Sequence, residues 1–132
     1  MKRAVRKLLL RSLLRFPRKA RPGEILALTY HSIDDSGSGV SFPEQHFRTQ
    51  IEWLASSGYR ALTASEAAAA LAQDAELAPP GVVLTFDDGF RSVLDRALPI
   101  LSDVGFTATV FCAAAYVGGR CGWDRAPGIP DL

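Results

Sequence analysis

The sequence predicts an α/β fold of parallel strands joined by helical crossovers, and three observations carry that prediction. Short apolar runs of strand-forming residues stand at 25–30, 82–86 and 107–111, with a shorter one at 59–62. Segments with helical spacing and helix-start signatures separate them. The resulting order, strand and helix in turn through four strands, disfavours hairpin-joined antiparallel sheets and makes right-handed crossovers the default. Such alternation suits an open doubly wound sheet or a barrel. A complete (β/α) barrel takes about 250 residues, so four strands in 132 residues would form an incomplete one.

Residues 1–23 form a basic helix or extension ahead of a domain spanning 24–132. Nine of the fifteen basic residues lie at or before Arg21, no acid precedes Glu24, and the remainder is left with about −8 against a whole-chain charge of +1. That acidic remainder excludes nucleic acid as an expected partner. Arg6, Lys7, Arg11 and Arg15 break the apolar run around Leu8–Leu10 too early for a signal peptide, and the tract Arg15-Phe16-Pro17-Arg18-Lys19 replaces a small-residue cleavage site. The segment therefore reads as retained, which favours cytoplasmic or membrane-associated residence over secretion. Val5, Leu9, Leu13 and Phe16 share one helical face, so peripheral membrane contact through residues 2–19 is one expectation. A solvated extension or a helix packed on the domain is the other. No stretch approaches the roughly 18 apolar residues of a membrane span. Cys112 and Cys121 are too few for a disulfide framework and lack C-x-x-C spacing, which leaves free thiols or a single bridge.

After Arg21-Pro22-Gly23, the run Ile25 to Tyr30 reads as a buried strand and His31 to Gly39 as a loop. Ser41-Phe42-Pro43-Glu44 reads as a capping box with Ser41 as N-cap; Phe47, Ile51 and Leu54 repeat at helical spacing until Ser57-Gly58 ends the helix. Tyr59 to Leu62 is a short strand, and Thr63-Ala64-Ser65-Glu66 opens an alanine-rich covering helix to about Gln73. Pro79-Pro80-Gly81 leads into Val82 to Phe86, apolar without alternation and closed by Asp87-Asp88-Gly89. Val93, Leu94, Ala97, Ile100 and Leu101 give a helix that Pro99 should kink and Gly105 should end, before a strand at Thr107 to Phe111.

Asp87 and Asp88 stand at the C-terminal end of their strand, where parallel α/β folds place active sites. Adjacent carboxylates repel, and a cation between them or a proton on one relieves that repulsion. One can hold a divalent metal while the other takes a proton from a water molecule. Alternatively, Asp-Asp-Gly is a turn, since both residue types favour turns. Haloacid-dehalogenase-like phosphotransferases also place an aspartate here, but they separate their two aspartates by one residue.

The string Leu84-Thr85-Phe86-Asp87-Asp88-Gly89-Phe90 resembles the first signature of the polysaccharide deacetylase family, also known as NodB-homology or carbohydrate esterase family 4 domains. Leu28-Thr29-Tyr30-His31-Ser32-Ile33 resembles the strand and loop that open many members, and Gly105 to Phe111 follows at a fitting distance, so the resemblance spans about Glu24 to Val117. It implies a partial (β/α) barrel of the distorted TIM type, with about four parallel strands and covering helices. The implied reaction is metal-dependent hydrolysis of N-acetyl groups on a glycan substrate. Asp87 would be the general base and Asp88 a ligand of the metal, usually Zn2+.

The family completes its site with two histidines from a later H-S/T-x-x-H/S-type signature, a general-acid histidine and an arginine, none of which stands before Leu132. The only histidines are His31 and His46. His31 shares the strand-end rim and so can line a pocket, more readily orienting a loop or carboxylate than binding metal. His46 reads as exposed on its helix, and Asp34 and Asp35 as loop-capping residues. The alternative to an enzyme is a truncated or degenerate deacetylase domain that acts, if at all, through a partner.

Overall fold

The computed structural model describes residues 21–73 and 77–120. The expectations for residues 1–20 and for Cys121 lie outside the described residues. Strands β1 (Ile25–Tyr30), β2 (Ser32–Ile33), β3 (Ser41–Phe42), β4 (Arg60–Leu62), β5 (Gly81–Asp88) and β6 (Thr109–Cys112) alternate with helices α1 (Glu44–Ser56), α2 (Ala64–Ala72) and α3 (Leu98–Asp103). A π-helical stretch, Val93–Ala97, runs directly into α3. Among the described residues no helix is long and apolar enough to cross a membrane.

β5 organises the main sheet, and all its pairings are parallel. β1 pairs with it from Ile25 opposite Gly81 to Tyr30 opposite Phe86. On its other side β4 pairs with its first residues and β6 with its last, so these two short strands share one flank end to end. The four parallel strands and covering helices match the expected fold class. A separate two-stranded sheet, β2 with β3, interrupts the stretch that the sequence presents as a loop. Two residues per strand are too few to leave a period-2 pattern.

The core lies between the sheet and α1, the π-helix and α3. α1 contributes Phe47, Ile51 and Leu54, the π-helix Val93 and Ala97, and α3 Ile100 and Leu101, against Val82, Leu84 and Phe86. Tyr30 stacks on Phe86 with ring centroids 5.5 Å apart and meets Phe47 edge-on at 5.1 Å. Such pairs add to the burial of their area. On the opposite face, Val83 and Leu62 bury against Ala67 of α2.

The helix ends follow the backbone rules. Gly58, at φ 82°, lets Tyr59 donate to the Leu54 carbonyl while Gly58 itself donates to Ala55. Gly105, at φ 69°, repeats this with Phe106 to Leu101 and Gly105 to Ser102. Both are Schellman closures. At Thr63 the expected capping box is present, Thr63 Oγ1 accepting from the Glu66 amide and Glu66 Oε2 accepting from the Thr63 amide.

Three local expectations need correction. Ser41 is not the N-cap of α1: Pro43 holds that position without a side-chain cap, because the Ser41 hydroxyl donates to Asp34 and its backbone lies in β3. The strand carrying the aspartates extends through Asp88, and the last strand begins at Thr109, later than its sequence suggests. Pro99 does not kink a continuous α-helix but sits in the first turn of α3, where its missing N–H is tolerated; the irregularity falls earlier, as the π-helical turn.

Candidate active site

Asp87 and Asp88 are the last residues of β5, opposite Phe111 and Cys112 of β6. The preceding residues are held firmly. Phe86 is fully buried, and Thr85 donates to the Thr29 hydroxyl at 2.9 Å across to β1. Asp87 and Asp88 themselves are half-buried. At Asp88 the extended backbone stops abruptly, with φ at 70°. A non-glycine residue in the left-handed region costs about 1–3 kcal/mol and persists where its surroundings over-determine it. Here Ala113 donates to the Asp88 carbonyl at 3.1 Å, and the Phe90 side chain is buried at 1% exposure.

Gly89 follows at φ 81°, and a Cβ there would come within 3.3 Å of the Cys112 Cα, so backbone conformation and close approach both select glycine. Beside this turn lies a cavity of about 370 Å³ lined by Asp88, Gly89, Arg91, Leu94, Asp95, Cys112 and Val117. Arg91 and Asp95 pair at 3.2 Å, both exposed. Cys112 is exposed and carries a free thiol.

His31 directly follows Tyr30, the β1 residue opposite Phe86, so it stands at the same strand end as Asp87 and is half-buried. His46 is exposed on α1, its ring 6.3 Å from that of Phe42. Among the described residues no three of His, Cys, Asp and Glu gather to hold a metal ion. A hydrolytic zinc takes three protein ligands and a water, so the described residues do not by themselves complete such a site.

The sequence understates Asp34. It does cap its loop, Oδ1 accepting from the Ser36 amide at 2.8 Å, but it is buried at 7% exposure and also receives the Ser32 and Ser41 hydroxyls. Burial acts to raise its pKa, yet the hydrogen bonds from Ser32, Ser36 and Ser41 together prevail and hold it below the ordinary carboxylate value. The signal available in the sequence is the Ser32-x-Asp34 spacing, which puts both side chains on one face of an extended segment. Asp35, by contrast, is exposed and lies 3.9 Å from Arg96.

The family profile described as polysaccharide deacetylase matches residues 74–127. The chain is 36% identical over 100 residues to YxkH of Bacillus subtilis, a protein named for polysaccharide deacetylase, covering 76% of this chain and 36% of that one. It is 32% identical over 79 residues to the poly-beta-1,6-N-acetyl-D-glucosamine N-deacetylase of Escherichia coli K12, covering 58% of this chain and 12% of the relative. The structure of IcaB from Ammonifex degensii superposes with a TM-score of 0.68 at 31% identity, over 78% of this chain and 43% of that one. The chain thus spans about a third of the length of the first of these relatives.

Proposed function

Since the chain belongs to the polysaccharide deacetylase family, we propose that it serves hydrolysis of N-acetyl groups on a polysaccharide, with an N-acetylglucosamine polymer as the substrate class. The observation that carries this reading is the Asp87-Asp88-Gly89 turn, which ends the central parallel strand beside an open cavity. In the reaction, water attacks the acetamide carbonyl carbon and gives up a proton to the Asp87 carboxylate. The C–N bond then breaks, the amine nitrogen takes up a proton, and acetate leaves. Asp88 is assigned as a ligand of a divalent cation, zinc by preference, whose other ligands are not among the described residues.

Acetate release from N-acetylglucosamine oligomers tests the assignment. Asp87→Asn should lower kcat by about 10²- to 10⁴-fold, the usual contribution of a positioned base, with an unchanged melting transition. Equal rates for parent and variant would remove Asp87 from the chemistry.

A second reading is a non-catalytic deacetylase domain completed, if at all, by a partner. It is favoured by the want of a three-ligand cluster among the described residues. Turnover by the chain on its own would exclude it. Acetate release only after a second polypeptide is added would establish it.

A further inference from the structure

A directed chain of hydrogen bonds ties β2 to the turn that follows the two aspartates. The Ile33 amide donates to Ser92 Oγ at 3.0 Å, Ser92 and Ser32 share a hydrogen bond of 2.8 Å between their hydroxyls, and Ser32 Oγ donates to Asp34 Oδ2. Ser32 is fully buried, and Asp34 and Ser92 are each 7% exposed. Asp34 as a carboxylate can only accept. The single Ser32 proton is therefore spent on it, and Ser92 must donate to Ser32 while accepting from Ile33. On the other carboxylate oxygen, Ser41 Oγ donates at 2.8 Å alongside the Ser36 amide, so Ser36 Oγ and Ser38 Oγ must in turn donate to Ser41. Every proton in the array has one allowed direction, and all of them run toward Asp34.

The array also has a mechanical consequence. The amides of Ser32 and Asp34 are used in pairing with β3, while that of Ile33 projects the other way and finds Ser92. Ser92 stands four residues after Asp88, and between them Phe90 is locked in the core. β5 fixes one end of this short turn and the hydroxyl array fixes the other, which leaves Asp88 little freedom to relax from its left-handed backbone.

The geometry points to Ser92, Ser32 and Asp34 as positioning residues that set the turn carrying Asp87 and Asp88. This inference rests on the deacetylase reading, because it assigns the array a role in kcat as well as in folding.

Kinetics on N-acetylglucosamine oligomers with the full chain test it. Ser92→Ala should lower kcat on the order of 10- to 100-fold, the scale of a small misplacement of reacting groups, while KM stays within about twofold. Ser92→Thr, which keeps the hydroxyl, should restore most of the loss. Ile51→Val, a core truncation outside the array, should lower the melting temperature without changing kcat. If Ser92→Ala does not fold, Ser32→Ala decides, since it leaves the Ile33 amide its partner and should still depress kcat. Parent-like kcat in Ser92→Ala or Ser32→Ala, with only the melting temperature lowered, would overturn the positioning role and leave the deacetylase reading intact. A parent chain that releases no acetate would overturn both.

Discussion

The two halves of β5 share one strand and have opposite surroundings. Gly81 to Leu84 are all buried, with β1 on one flank and β4 on the other, and their two faces pack into separate apolar clusters. From Thr85 to Asp88 only Phe86 is buried, and the flanking β6 exposes Val110 at 42% and Phe111 at 53%. The first half contributes stability through area removed from water. The second keeps polar groups accessible at the strand end, with Asp87 and Asp88 half-buried beside a cavity. The difference shows how one strand can anchor a fold and present chemistry, provided the two tasks fall on different residues.

Phe86 is the exception in the second half, and truncating it gives the largest expected effect. Phe86→Ala should cost about 3–5 kcal/mol in urea unfolding, because it also removes the ring on which Tyr30 and Phe47 pack. A cost below about 1 kcal/mol, the usual range of surface changes, would break the comparison by making the whole second half dispensable to the core. Next in size, Gly89→Ala should cost about 1–3 kcal/mol through its left-handed backbone and the contact with Cys112, and should depress acetate release. If it were neutral, the turn would be looser than its geometry suggests. The smallest effect concerns pH. The Asp34 pKa is depressed in the folded state, so its stabilising contribution is complete above the unfolded value of about 3.9 and is lost as pH falls through the folded value. Parent stability should therefore decline more steeply below roughly pH 4 than that of Asp34→Asn, as chemical denaturation across pH would show.

Much of the apolar framework was legible in the sequence, because its causes are local or periodic. The unbroken apolar run of β5, the 3/4 spacing of Phe47, Ile51 and Leu54, the capping box at Thr63 and the glycine stops at Gly58 and Gly105 all appear as expected. The misreadings share a different cause. Ser41 carries a valid capping signature, yet its hydroxyl is drawn away by a buried carboxylate seven positions earlier. Asp34 resembles any loop aspartate until Ser92, 58 positions later, is brought within reach of Ser32. The aspartate pair was visible because its residues are adjacent. The cavity beside it was not, since its walls come from the π-helix, β6 and the segment after β6.

The pairing of Ile25–Tyr30 with residues 81–86 also governs when the molecule can take shape. A ribosome must add more than fifty residues after β1 before that strand meets its neighbour, and closing so long a loop is slow compared with winding a helix. During synthesis α1 and α2 therefore precede the main sheet, and the apolar β1 waits unpaired on the nascent chain. That interval exposes the polypeptide to chaperones and to premature self-association.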